Sequence, residues 1–180
     1  MVDEYVIDQV VWLYERHYRD VYQFLLYFTG NENDAEDLTQ EVYIRLLKAL
    51  PDFQQHSQMK TWIFAIAKHV AIDFQRKKRL QKWFSGEWLH QISASDPPPE
   101  AVMETKETEE ELIKEILRLK PQYRMVIILR GIKEYSVKET AEILGYSESK
   151  VKVNFHRAIK LLKERLGPSW TGRWNDELVR

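Results

Sequence analysis

The chain of 180 residues has no cysteine, and only six glycines and six prolines. Without cysteine there is no disulfide framework and no thiolate metal site, a composition suited to a reducing cytosol. No apolar run approaches the roughly 20 residues of a membrane span; the candidate at residues 125–129 is interrupted by Arg130. The first residues, MVDEYVIDQVVWLYERHY, are acidic and interrupted, unlike a signal peptide. A soluble, cytoplasmic protein with no direct membrane insertion is therefore expected. Catalytic equipment is missing as well. There is no Ser/His/Asp set, no Gly-rich phosphate loop and no paired-acid spacing, and the histidines (17, 56, 69, 90, 156) are scattered. The lone Glu-x-x-His, Glu87 to His90, lacks the second copy that a di-metal bundle requires. The chain is expected to be no enzyme, with no cofactor and no metal. No internal repeat and no sustained alternation of a strand is present.

Helical patterning fills what remains, so the expected class is all-α. Apolar residues at Val10, Leu13, Tyr14, Val21, Phe24, Leu25 and Phe28 predict a helix over 5–29 that stops at Gly30. Asn33 or Asp34 should start the next, with Ala35, Leu38, Val42, Leu46 and Ala49 inward and Pro51 as the end. After a polar loop at 52–59, a third helix over 60 to about 80 carries Ile63, Ala67, Val70 and Phe74 on one face and Trp62, His69, Asp73 and Arg76 on another. Ser93, Ser95 and three consecutive prolines (97–99) break helicity. Two small helical domains are thus expected: 1–84 and 106–167, joined by a flexible linker at 85–105 and followed by a short tryptophan-containing tail at 168–180. Helices over 107–119 and 122–132 begin the second domain. Trp83, Trp88, Trp170 and Trp174 fall in linker or tail on this reading, and they are expected to pack onto a domain or a partner because tryptophan favours interfaces.

The stretch SVKETAEILGYSESKVKVNFHRAIKLLKERL (136–166) reads as two helices about a tight turn. Ala141, Ile143 and Leu144 supply the apolar side of the first. Gly145 sits where the chain must turn sharply, and Ser147 caps the next helix, with Glu148 at its positive end. Val151, Phe155, Ala158 and Leu162 then form one buried stripe, while Lys150, Lys152, Val153, His156, Arg157 and Lys160 project elsewhere. A helix built this way suits the DNA major groove; an αα-hairpin with a solvated basic face is the plainer alternative.

The formal net charge is −1, but the charge is unevenly spread. Residues 60–82 hold seven Lys/Arg against Asp73 alone, and residues 120–166 hold eleven against five Glu. Two basic segments point to two contacts with a polyanion. Lys68, His69, Arg76 and Lys77, beside aromatics, are the usual equipment for holding bases and phosphates, although Trp62 reads equally well as core. Asp34, Asp37 and Glu41 share one helix face, extended by Gln40 and Arg45; it is either solvated or a protein-docking face.

Together these residues resemble the extracytoplasmic-function (ECF) sigma factors, the group 4 members of the sigma-70 family. Leu13 to Tyr18, Gly30, DAEDLTQEV (34–42), Thr61-Trp62 and Ala71-Ile72-Asp73 with Arg76 are similar to a sigma-2 domain. Leu119, Pro121, Arg124, IILR (127–130), ETAEILG (139–145), Val151-Lys152 and HRA (156–158) are similar to a sigma-4 domain. The resemblance implies a bacterial transcription initiation factor. Asp34, Asp37, Gln40, Glu41 and Arg45 would dock on the clamp coiled coil of core RNA polymerase, whose flap would engage the second domain. Phe53, Lys60, Trp62, Lys68, His69, Arg76 and Lys77 would bind and melt the −10 promoter element. Ser149, Lys150, Lys152, Val153, His156 and Arg157 would read the −35 element. It also implies an anti-sigma partner, often membrane-anchored, and a stress response. The competing class is a stand-alone helix-turn-helix repressor or activator, which leaves the first eighty residues unexplained.

Two departures stand out. Ser149-Lys150 replaces the common Gly-Thr ahead of the Val-Lys of the recognition helix, and Lys150 adds a phosphate contact on this reading. His69 stands where many members carry Asn, and a charge change near neutral pH would tune its DNA affinity.

Overall fold

The computed structural model describes residues 4–53, 58–84 and 107–167. Every element among them is helical: α1 Glu4–Thr29, α2 Glu32–Ala49, a short 3-10 turn Leu50–Asp52, α3 Met59–Phe84, α4 Glu107–Leu117, α5 Pro121–Val126, which continues as a π-helix Ile127–Ile132, α6 Val137–Leu144 and α7 Glu148–Leu166. The chain divides into two compact units, Met1–Ser95 and Asp96–Arg180. The proline break and the tryptophans at 88, 170 and 174 lie outside the described residues.

In the first unit α1, α2 and α3 pack against one another. Leu13, Val21, Phe24, Leu25 and Phe28 of α1 are buried against Val42 and Leu46 of α2 and Ile63, Phe64 and Ala67 of α3. Phe24 and Phe64 meet edge to face with centroids 5.5 Å apart, an arrangement the aromatic quadrupole favours. Each such side chain contributes about 1.5–3 kcal/mol by leaving water. Gly30 ends α1 in the left-handed region, at φ 70. The next residue, Asn31, then caps α2, its side chain accepting from the Asp34 N–H at 2.9 Å. The helix therefore starts at Glu32, one residue before Asn33. It ends at Ala49, and Pro51 lies in the 3-10 turn that follows. Leu38 and Ala49 are only half-buried. Nothing breaks the basic run 76–79, so α3 continues past Leu80 to Phe84. Trp83 accordingly belongs to this helix rather than to the linker, and it is 64% exposed.

In the second unit α7 packs against α4, α5, the π-helix and α6. Residues 125–129 are all buried, with Ile143, Leu144, Val151, Phe155, Ala158 and Leu162. A continuous apolar run is what an element enclosed on all sides needs. Two arginines work as scaffold here. Arg124 donates to the carbonyls of Leu117 and Leu119, satisfying the end of α4, and burial pulls its pKa down to about 10. Arg130 donates to the Tyr135 carbonyl at 2.7 Å and lies over the Phe155 ring.

Candidate nucleic-acid and polymerase interfaces

The helix-turn-helix is fixed by local chemistry at both ends of its turn. Ser136 and Glu139 form a reciprocal capping box at the start of α6. Gly145 closes α6 at φ 66, ψ 37, with the Tyr146 N–H donating to the Ala141 carbonyl at 3.0 Å. Ser147 caps α7, accepting from the Lys150 N–H at 3.2 Å. The stripe Val151, Phe155, Ala158 and Leu162 is fully inward, joined by Asn154 and Ile159. Ser149, Lys150, Lys152, Val153, His156 and Arg157 are all exposed, so all six expected groove residues lie on solvent. One of them, Lys150, is held by a tyrosine four positions before it, a spacing at which two side chains near a helix start can meet. The Lys150 ammonium sits 3.7 Å from the Tyr146 ring centroid. The neighbouring Arg157 guanidinium holds the Tyr123 phenol below its usual range.

The residues expected at a second DNA contact are less uniform. Arg76 and Lys77 are exposed near the basic end of α3. Lys60 is half-exposed and pairs with Asp20 at 3.3 Å. Phe53 and Trp62 meet at a tilt of 34° with centroids 4.4 Å apart, both half-buried, which makes a small aromatic shelf at the start of α3. Residues 54–57 of the intervening loop lie outside the described residues.

Lys68 is buried, at 8% exposure. Its Nζ lies 3.0 Å from Nε2 of exposed His69, and burial lowers the lysine pKa. His69 is pushed below its usual value by desolvation first and then by Lys68; a hydrogen bond with the Ala65 backbone opposes this. A lysine donating to Nε2 requires a neutral ring. The expected charge change near neutral pH therefore moves to lower pH. Lys68 looked outward from the sequence because only Ile63, Ala67, Val70 and Phe74 were assigned inward. The buried face is wider and takes in Phe64 and Ala71 as well.

The acidic helix α2 is tied to α3 by ion pairs that span long sequence separations. Arg45 Nε donates to Glu41 at 2.7 Å and its Nη1 to Asp73 at 2.9 Å. Asp73 also takes Arg76 at 3.2 Å, and Asp34 takes Lys78 at 3.0 Å. The Arg45 hydrogen bond holds the Asp73 carboxyl below its usual range. Asp37 and Gln40 are exposed beside this network. The set Asp34, Asp37, Gln40, Glu41 and Arg45 therefore does lie on one helix, with three of its members engaged in intramolecular pairs.

No helix among the described residues is long and apolar enough to cross a membrane, and no His, Asp and Glu side chains cluster there as a metal would require.

Comparison with known proteins agrees with this division. Residues 13–81 match the family model described as Sigma-70 region 2, and residues 109–162 match Sigma-70, region 4. The ECF RNA polymerase sigma factor SigX of Bacillus subtilis (strain 168) is 39% identical over 158 residues, spanning 86% of this chain and 81% of SigX. The RNA polymerase sigma factor YlaC of the same organism is 34% identical over 165 residues, spanning 90% of this chain and 94% of YlaC. Among solved structures, the sigma factor RpoE, in its complex with the anti-sigma factor NepR from Bartonella quintana, aligns with a TM-score of 0.64 at 21% identity. That alignment covers 84% of this chain and 92% of RpoE, and at this identity it speaks for the fold alone. The helix-turn-helix and the unit carrying the acidic helix are thus matched in chain order, and the chain belongs to the ECF sigma factors of the sigma-70 family, which are transcription initiation factors.

Proposed function

We infer that this sigma factor binds core RNA polymerase and carries it to promoters through two DNA contacts. The observation that carries the reading is the outward face of α7. All six side chains expected in the −35 groove are exposed there, while the alternate stripe is buried. On this reading α7 enters the major groove. Lys150 and Arg157 reach phosphate or guanine, and Val153 meets a thymine methyl. Phe53 and Trp62 form the apolar shelf against which an unstacked −10 base rests, and Arg76 and Lys77 hold the backbone. The exposed Asp37 and Gln40, with Asp34, Glu41 and Arg45, face the clamp coiled coil of the polymerase, and the second unit faces its flap. No covalent step belongs to the protein; it recognises and captures strands. Regulation by an anti-sigma protein, membrane-anchored in many members of the class, is supported by the RpoE fold having been solved with NepR.

The docking half is tested by measuring affinity for core polymerase after Asp37→Lys and Gln40→Lys. Reversing charge on an exposed docking face should weaken binding at least about tenfold, a typical cost of like-charge juxtaposition. The amide-exchange protection of the second unit should not change. Unaltered polymerase affinity in the double variant would remove α2 from the interface.

A further inference from the structure

We propose that Tyr146 is a positioning residue of the recognition helix: it holds the Lys150 cation in place before DNA arrives. The inference rests on α7 being a duplex-reading helix and goes beyond it by assigning a role to a residue off that helix. Lys150, Val153 and Arg157 fall at i, i+3 and i+7, on one face of α7. At 1.5 Å per residue the Lys150 and Arg157 backbone positions are about 10 Å apart along the axis. The exposed Val153 side chain lies between them. The face thus presents cation, apolar contact, cation.

The first of these cations, Lys150, has an aromatic holder. The Tyr146 ring lies 3.7 Å from the Lys150 ammonium, in the turn between α6 and α7. A cation against a ring face keeps its remaining N–H groups free for an anion. Lysine and arginine are the side chains with most rotamer freedom to lose on binding. Restricting them beforehand shifts that loss from the binding step to folding, which is how pre-organisation raises affinity. Lys150 itself is the residue by which this chain departs from the Gly-Thr pattern of its family. Tyr146 precedes it by one helical turn, the spacing at which the two can meet.

The test uses holoenzyme reconstituted from full-length protein and core RNA polymerase. The probe is the duplex that wild-type holoenzyme enriches from a library with a randomised upstream block. Affinity is measured across a salt series. Lys150→Ala should lower the salt slope by about 0.9, one phosphate contact. Tyr146→Leu should weaken binding roughly two- to fivefold with the slope unchanged, from the usual cost of ordering one such side chain. Tyr146→Phe, which keeps the ring, should bind like wild type.

The deciding readout is non-additivity. Tyr146→Leu should cost nothing further in the Lys150→Ala background. A tyrosine that merely supports the fold would cost the same in every background, and that result overturns the proposal. So does Tyr146→Leu binding as tightly as wild type or tighter, since a ring that competes with phosphate would act in that direction. A measurement independent of how the variants fold is the proton spectrum of the free wild-type protein. Ring-current displacement of the Lys150 side-chain methylene signals is expected, and their absence contradicts the proposal. Enrichment of no duplex at all would overturn both the promoter reading and this inference. Enrichment with additive variants would overturn this inference and leave the promoter reading standing.

Discussion

Replacing Gly145 by alanine isolates the backbone contribution to the presentation of the recognition helix. Gly145 sits at φ 66, ψ 37, in the left-handed region, and closes α6. A Cβ built on it meets no heavy atom within 4 Å. Steric crowding therefore contributes nothing, and the whole cost is that of placing an L-residue in the left-handed region, about 1–2 kcal/mol. The cap hydrogen bonds survive, because alanine keeps the N–H that reaches back to the Ala141 and Glu142 carbonyls. Asparagine, which tolerates this region better, should cost less. The suitable assay is native-state amide exchange of the full chain followed at Val151, Phe155 and Ala158, which reports opening of the second unit. A loss of 1–2 kcal/mol accelerates exchange there about 5- to 30-fold, with α1 to α3 unaffected. Wild-type exchange in Gly145→Ala would mean that the turn is not left-handed. Acceleration beyond about a hundredfold would mean that the new methyl group clashes, and either outcome refutes the reasoning.

Three further substitutions test particular contacts. Lys68 is buried with the His69 ring beside its ammonium and no carboxylate paired to it among the described residues, so Lys68→Met should raise the urea midpoint of the first unit, since burying an uncompensated charge is costly. The same variant should leave the salt slope of promoter binding unchanged; a fall of about one would restore Lys68 as a phosphate contact. Thr140 has a buried hydroxyl with no hydrogen-bond partner, so the isosteric Thr140→Val should be neutral or stabilising by up to about 1 kcal/mol; destabilisation would reveal a partner for the hydroxyl. The folded pKa of Asp73 is depressed by Arg45. Its contribution to stability is therefore present above the unfolded pKa and is lost as pH falls through the folded one. Asp73→Asn should flatten the acid side of the stability profile, and Arg45→Ala should do so too. The Arg45–Asp73 coupling in a double-mutant cycle should be about 0.2–1 kcal/mol, because both groups are about one-third exposed.

Local signals carried the second unit well. The stripe of α7, the Gly145 turn and the Ser147 cap are each decided within a few residues, so their placement could be read from spacing alone. The start of α2 could not, because Asn31, Asn33 and Asp34 are all competent caps; the left-handed Gly30 selects the first of them. The six-residue π-helix left no mark in the apolar run at 125–129, where every residue is buried whichever helical form is adopted. At the candidate sites, residue types were legible and partners were not. The pairs Arg45–Asp73 and Lys78–Asp34 bridge 28 and 44 positions and exist only once α2 and α3 pack. Burial of Lys68 follows from the same packing, which widens the inward face of α3 beyond one stripe.

The measurement that bears most directly on the central claim is transcription in vitro with purified core RNA polymerase, on a template carrying a promoter selected by the reconstituted holoenzyme. Core polymerase plus this protein should yield transcripts from one defined start site, and core polymerase alone should not. That output should fall when either the −35 or the −10 block is scrambled. Tight binding of the protein to bare duplex, with no promoter-specific transcript in the presence of core polymerase, would contradict the account.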